Sequence, residues 1–436
     1  MKRPVLVVGA GWAGLSCALA LAEAGVRVIV LEAAPAPGGR ARSLQRRGRE
    51  YDNGQHLLLC ACSGVIDLLT RLDVDPEAAF LRLPLQLRFH APGGECLHLV
   101  PPAHPWPLHL VRGVLEADGF GPRERLALLA SLPELLFRTP PAQATVATWL
   151  EGLAQPPALC RRFWDVLCVS ALNTEPERAS ARLFVQVLRE TFRPPARRSD
   201  LWIPRRPLSA LFPVPAVRRL AAAGGRVLTR HRVVGLSPGR GGLRVHCRNG
   251  ACFEGPVVLA VPPWEARRLL AHLPGMGALA ARLGRLRPAP VTTLWLEYAE
   301  PVALPAPLVG LLEAPFQFVF DHGPLGHPGR IVLVGSGPAA NRELDRTAAP
   351  ERLAHRLLAD RCPGWPRRPP RAWRIRERRA TFLATPEAER LRPGPATPLS
   401  HLVLAGDWTA TGLPATLEGA VRSGRAAAAR LLRTSV

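Results

Sequence analysis

The sequence predicts an α/β fold in which a Rossmann-like nucleotide-binding domain, discontinuous in sequence, is interleaved with an α+β substrate domain. Three observations carry this prediction. An apolar run, Val5-Leu6-Val7-Val8, meets Gly9-Ala10-Gly11-Trp12-Ala13-Gly14, and a second run from Val26 to Leu31 ends on Glu32. β-type patterning returns after Gly224 and includes the apolar run Pro256-Val257-Val258-Leu259-Ala260-Val261 before Pro262-Pro263. Far along the chain, His401-Leu402-Val403-Leu404-Ala405 leads into Gly406-Asp407 and an alanine-rich tail that begins at Leu417.

The first element is a strand, glycine turn, helix, strand and acid in the order that builds a dinucleotide site. Gly9 permits the tight exit from the strand. Gly11 lets backbone N–H groups approach a pyrophosphate, and Gly14 allows the helix to pack closely on the sheet. The diphosphate then faces unpaired donors at the positive end of the helix dipole. Glu32 lies eighteen residues beyond Gly14, where a carboxylate meets a ribose hydroxyl. Lys2-Arg3 followed by an uncharged stretch to Ala22 imitates a signal peptide or a membrane span. That reading leaves the glycine spacing and the immediate second strand unexplained, so the segment is expected to stay in the mature protein.

Composition bounds the remaining classes. At 436 residues, two domains or one interleaved unit is the prior, and 47% hydrophobic residues suffice for a large core. Pro or Arg interrupts every other apolar stretch before it could span a bilayer. The formal net charge of +23 invites a nucleic-acid partner, but Lys2 is the only lysine and the arginines are spread along the whole chain. A nucleic-acid footprint would be clustered, so none is expected. A basic surface does favour peripheral contact with anionic lipid, at the inner face of the cytoplasmic membrane. The nine cysteines show no metal spacing beyond Cys60-Ala61-Cys62, which holds no zinc without two further ligands. No metal site is expected, and the thiols read as reduced and cytoplasmic.

Along the chain, Gly38-Gly39-Arg40-Ala41-Arg42 is a turn-rich loop in which Arg40 or Arg42 suits phosphate oxygens. Tyr51-Asp52-Asn53-Gly54-Gln55-His56 is a polar turn leading into an apolar, helix-like run from Leu57. Residues 76–204 read as a helical insertion shaping a substrate chamber, with amphipathic runs at Arg123–Phe137 (apolar Leu126, Leu129, Ala130 and Leu132) and Ala179–Phe192 (Leu183, Val187, Leu188 and Phe192). Strands are expected at 225–228, 232–236, 242–247 with a hairpin at Asn249-Gly250, 256–261, 317–320, 331–334 and 401–405. The resulting division is 1–75, 205–270 and 395–436 for the nucleotide domain, and 76–204 and 271–394 for the substrate domain.

Taken together, Gly9–Gly14, Glu32, Gly38-Gly39-Arg40 and Gly406-Asp407…Leu417-Glu418-Gly419-Ala420 resemble the flavin-containing amine oxidase and carotenoid desaturase superfamily. Within it, the chain resembles the squalene-associated FAD-dependent desaturase family, whose members are hydroxysqualene dehydroxylases of hopanoid synthesis. The residues that carry this narrower likeness are Asp52–His56, Ala171–Thr174 with Pro176–Ser180, Pro207-Leu208-Ser209 with Leu211-Phe212, Gln317–Asp321 and Ala405–Ala420.

The resemblance implies FAD held by both ends of the chain. Gly9, Ala10, Gly11, Trp12, Ala13 and Gly14 would surround the pyrophosphate, joined by Gly39 and Arg40. Glu32 would hold the adenosine ribose, and the backbone of Val234 would meet the adenine. Asp407, after Gly406, would hold the ribityl chain, with N–H groups near Leu417 at the pyrimidine edge. Gln55 and His56 would lie beside the cofactor, although a helix-start role for that turn fits equally well. No cysteine lies between Cys362 and Asp407, so the flavin is expected to be non-covalent. The implied reaction removes the hydroxyl of a hydrophobic isoprenoid alcohol with loss of water, which needs a general acid; His56 and Asp321 are candidates, and the catalytic residues are not legible. A desaturase or amine oxidase on the same fold, or a non-enzymatic basic protein binding lipid or nucleic acid, are the alternatives.

Overall fold

The structure, a computed structural model, describes residues 3–434. Its nucleating layer is a five-stranded parallel sheet of β1 (Val5–Val8), β2 (Val28–Leu31), β3 (Arg226–Leu228), β4 (Val257–Leu259) and β5 (Leu402–Leu404), in the spatial order β3-β2-β1-β4-β5. β1, β4 and β5 are short, continuously apolar and buried, as strands covered on both faces must be. Helix α1 (Trp12–Glu23) crosses from β1 to β2 and packs along the last helix, α3 (Leu417–Thr434). Gly424 makes that crossing close, since a Cβ there would stand 2.3 Å from the carbonyl oxygen of Ala13.

A three-stranded antiparallel unit, Val233–Gly239, Gly242–Cys247 and Cys252–Gly255, turns at Asn249-Gly250, where Gly250 has φ +86°. A second large sheet has seven strands in the order Arg371–Phe382, Pro288–Glu297, Arg330–Ser336, Phe318–Asp321, Leu308–Leu311, Leu87–His90 and Cys96–Leu99. Opposite it, Leu58–Leu59, Leu201–Pro204 and Phe80–Leu83 form a small sheet. Leu201, Ile203, Trp295, Phe320 and Val332 pack as one apolar cluster between the two.

Four expectations need correction. The run after His56 is not helical at first: Leu58–Leu59 pairs with Leu201–Trp202, and helix α2 (Ser63–Thr70) starts only beyond Cys62. Residues 76–204 are not wholly helical, because Phe80–Leu83, Leu87–His90, Cys96–Leu99 and Leu201–Pro204 are strands. Each is four residues long and lies close to a proline or a turn, too short for periodicity to register. The helix Pro122–Phe137 buries Leu128, Ser131 and Leu135; Leu126 and Ala130, expected inside, are exposed. The helix at Ala179 starts two residues later, Ala181–Phe192, with Ser180 as its cap.

Candidate functional site

The motif loop is built by steric necessity at two glycines. Gly9 has φ +107°, and a Cβ on it would lie 2.5 Å from the Ala260 carbonyl oxygen; a Cβ on Gly14 would lie 2.0 Å from the Gly9 carbonyl oxygen. Both therefore fix strand, turn and helix against one another. Gly11 differs. It is the cap residue of α1 with extended backbone, φ −76° and ψ 179°, and the nearest heavy atom to a Cβ there is Gly39 Cα at 3.9 Å. The space in front of Gly11 is thus an open cradle that a Cβ would fill. Gly11 has no side chain to cap the helix, and the first-turn N–H groups of α1 have no intrahelical acceptor. That is a donor set waiting for an anion.

Gly38 and Gly39 close the other wall. Gly38 donates its N–H to the Ala10 carbonyl at 2.8 Å, and a Cβ on Gly39 would approach Gly11 Cα to 3.1 Å. Trp12 and Ala13 are buried, and the Trp12 indole donates to the Ala41 carbonyl at 3.0 Å and rests on Phe212. The Trp12 side chain therefore locks the loop, leaving only its backbone to face a ligand. Glu32, at the end of β2, accepts from the N–H groups of Ala10 at 2.8 Å and Ala34 at 2.7 Å. Each carboxylate oxygen keeps a further lone pair for a hydroxyl.

The distant C-terminal segment joins this site through Arg40. Its guanidinium donates to Asp407 Oδ1 at 2.7 Å, across 367 residues, and to the Ala380 carbonyl at 2.5 Å. Arg42 folds back onto the Gly39 carbonyl. Gly406, at φ +150°, leaves room for the Trp408 indole, which would be 2.3 Å from a Cβ there, and its N–H donates to Ser423. Thr416 accepts from the Gly419 N–H and so caps α3, leaving the N–H groups of Leu417 and Glu418 without intrahelical acceptors. Two residues that sequence reasoning missed hold this region. Buried Arg392 donates to the backbone carbonyls of Asp407, Trp408 and Thr409, and burial brings its pKa down to about 10. Buried Glu418 accepts from the N–H groups of Gly64 and Val65, capping α2, and from Arg422. Arg392 has no local signal, and Glu418 none for its capping of α2, since those partners are backbone groups brought up by the fold.

The other expected residues are placed as follows. The Val234 carbonyl accepts from Arg268 at 3.0 Å, so that edge of the strand is already engaged. Gln55 donates to the His56 carbonyl at 3.1 Å, and its Oε1 pairs with His322 Nε2 at 2.8 Å, tying the polar turn to the large sheet. His56 Nδ1 lies 2.9 Å from the Gly54 carbonyl, and burial pushes the imidazole towards its neutral form. Asp321 is buried, with Oδ1 accepting from Gly323 and Oδ2 from Leu304. Two backbone donors make it a turn-capping acceptor, the structural alternative to the general-acid role for which it was a candidate. Asp52, unremarked as an acid, accepts from the Leu208 N–H and the Ser43 hydroxyl; burial raises its pKa to about 6.

FAD fits this donor set: an anion cradle at Gly11, a carboxylate at Glu32 for a ribose, and Asp407 with a helix start at the other end. The flavin containing amine oxidoreductase family matches residues 12–432. Hydroxysqualene dehydroxylase of Rhodopseudomonas palustris is 35% identical over 98% of both chains, and that of Sinorhizobium fredii is 32% identical over 98% of both. A carotenoid phi-ring synthase of Streptomyces griseus is 29% identical, over 98% of this chain and 87% of its own. Among solved structures, cyclohexylamine oxidase of Brevibacterium oxydans shares the fold with a TM-score of 0.71 at 16% identity, covering 100% of both chains. The chain belongs to the flavin containing amine oxidoreductase family and, within it, to the family of the hydroxysqualene dehydroxylases.

Proposed function

We propose that this protein is an FAD-dependent oxidoreductase that reductively removes the hydroxyl of hydroxysqualene to give squalene. The observation that carries the reading is the near end-to-end identity of 35% to a hydroxysqualene dehydroxylase, joined to a cofactor cradle that draws on both ends of the chain. In this reading residues 1–75, 205–270 and 395–436 serve FAD, and 76–204 and 271–394 serve the substrate. The first-turn N–H groups beyond Gly11, with Gly39, would hold the pyrophosphate, and Glu32 the adenosine ribose. Asp407 would hold the ribityl hydroxyls and release Arg40 to the phosphates, while Leu417 would offer its N–H to the flavin ring and the binding would be non-covalent.

Reduced FAD, when bound, supplies the hydride. The chain's own task is to let water leave an allylic alcohol and to keep bulk water away from the cation that results. An apolar chamber in the substrate domain would serve the second need and suit a hydrocarbon substrate. The decisive experiment mixes anaerobically reduced holoenzyme with hydroxysqualene in a single turnover. Squalene forming in step with flavin oxidation is expected. No squalene by mass spectrometry, with hydrogen removed from a polyene by the oxidised enzyme instead, favours the desaturase reading.

Peripheral contact with anionic lipid belongs to the same proposal. No helix among the described residues is long and apolar enough to cross a membrane. Leu108 and Leu115 on the helix Leu108–Leu115 are 50% exposed, and Leu126 and Phe137 on the helix Pro122–Phe137 are 69% and 71% exposed. Each pair recurs at whole-turn spacing, so each forms a stripe. Arg112, Arg123 and Arg138 are exposed on or just beyond the same helices. Apolar stripes beside arginines suit an interfacial mode, from which an isoprenoid alcohol is drawn.

A further inference from the structure

Away from the cofactor groove, three metal-ligating side chains converge on the hairpin of Leu87–His90 and Cys96–Leu99, at the edge of the seven-stranded sheet. His90 faces Cys96 across the ladder, and Arg88 faces His98. Side chains alternate along a strand, so His90, Cys96 and His98 project from one face while Phe89 and Leu97 pack into the core from the other. One ligand atom from each of the three lies within 4.8 Å of the others. His90 is 7% exposed, and Nε2 of both His90 and His98 is buried without a hydrogen-bond partner. The backbone of Arg361 lies against the ring of His90.

We propose that His90, Cys96 and His98 form a zinc-binding site that fastens this edge hairpin. Nε2 of each histidine and Sγ of Cys96 are the protein ligands, and water completes the tetrahedron. Binding deprotonates the Cys96 thiol, whose proton leaves to solvent. The donor set of two imidazoles and a thiolate suits Zn²⁺ and not Mg²⁺ or Ca²⁺, which take oxygen. Bonds of about 2.0–2.3 Å put the ligands of a tetrahedral zinc roughly 3.5 Å apart, so rotation of side chains closes the site without moving the strands. Arg88 and Arg361 stand close enough to act on His90; they oppose a bare dication, and the thiolate charge offsets part of that opposition. The helix Pro350–Arg361 packs over the turn at Pro92–Gly94, so a metal here would bind the hairpin to the body of the sheet. The spacing His-x5-Cys-x-His across a turn escaped the reading of the cysteines because a hairpin, not a helix or knuckle, brings the ligands together.

The test uses chelator-treated holoenzyme titrated with Co²⁺ as an optical stand-in for zinc. One equivalent per chain is expected, with tetrahedral cobalt absorbance at wavelengths beyond the flavin bands that Zn²⁺ abolishes by displacement. Cys96→Ser and, independently, His98→Gln should each weaken Zn²⁺ binding at least about tenfold. His98 is only half-buried, which makes its variant the safer one for folding. Wild-type protein that takes up no Co²⁺ or Zn²⁺ at micromolar concentration, or binding that both variants leave unchanged, overturns the proposal.

Discussion

Replacing Gly11 and Gly14 by alanine separates a cofactor cradle from a packing contact, although both glycines belong to one motif. At Gly11 the backbone is extended and a Cβ meets nothing closer than 3.9 Å. The apoprotein should therefore lose at most about 1 kcal/mol, the difference between glycine and alanine as a helix cap. The cofactor should lose far more. A methyl in the cradle displaces an anion from the first-turn donors, and two charge-assisted hydrogen bonds at about 1.5–3 kcal/mol each amount to about 3–6 kcal/mol. FAD affinity should fall roughly 10²–10⁴-fold. Gly14→Ala reverses the pattern, because its Cβ would stand 2.0 Å from backbone oxygen that can move only with the whole turn. It should destabilise the apoprotein by about 3 kcal/mol or more. Flavin-fluorescence titration of the apoprotein gives the affinity, and urea unfolding without FAD gives the stability. Gly11→Ala binding FAD like the wild type refutes the cradle, and Gly14→Ala unfolding like the wild type refutes the packing argument.

The remaining expectations address other parts of the molecule. Arg392→Met leaves the carbonyls of Asp407, Trp408 and Thr409 without their buried donor; at about 1–3 kcal/mol per orphaned group, urea unfolding should show a loss of about 3 kcal/mol or more, and unchanged stability and FAD affinity would refute the positioning role. Burial, reinforced by Arg330 and His327, lowers the His322 pKa to about 3, below its unfolded value. Its contribution is therefore fully present above about pH 6.5 and is lost as pH falls towards 3, at about 1.4 kcal/mol per pH unit. His322→Gln should flatten that acid limb relative to the wild type; Asp52 and Asp165, each raised to about 6, act in the opposite sense, so the difference between the two proteins is the quantity to read. Leu126→Ser combined with Phe137→Ser should cut sedimentation with phosphatidylserine vesicles about tenfold or more, since each large apolar side chain contributes about 1.5–3 kcal/mol when fully buried, while leaving turnover of detergent-dispersed substrate unchanged; undiminished sedimentation would place the lipid contact elsewhere.

The parts of the site that were legible in the sequence are those whose chemistry is local. Gly9, Gly11 and Gly14 announce themselves because one turn imposes their spacing, and Gly406-Asp407 because a strand end and a helix start frame it. Arg392 and Glu418 were illegible, because each satisfies backbone groups that are far away in sequence or contribute no side chain. Asp321 stayed ambiguous for the related reason that a buried carboxylate looks the same in sequence whether it donates a proton or caps a turn. The strands at 80–99 were hidden by length, and the exposure of Leu126 by the two-sided apolar character of its helix, where periodicity alone selects no face.

The close crossing of α1 and α3 at Ala13 and Gly424 has a consequence for the order of events during synthesis. The helix that bears the anion cradle is made long before α3, the helix packed against it, and β5 joins the sheet only shortly before α3. A nascent chain that has not yet reached Asp407 and α3 exposes the apolar flank of α1, so high-affinity flavin uptake must wait for those residues. Such late closure exposes the intermediate to aggregation, and cellular FAD supply, by capturing the freshly closed chain through mass action, becomes a determinant of how much protein survives.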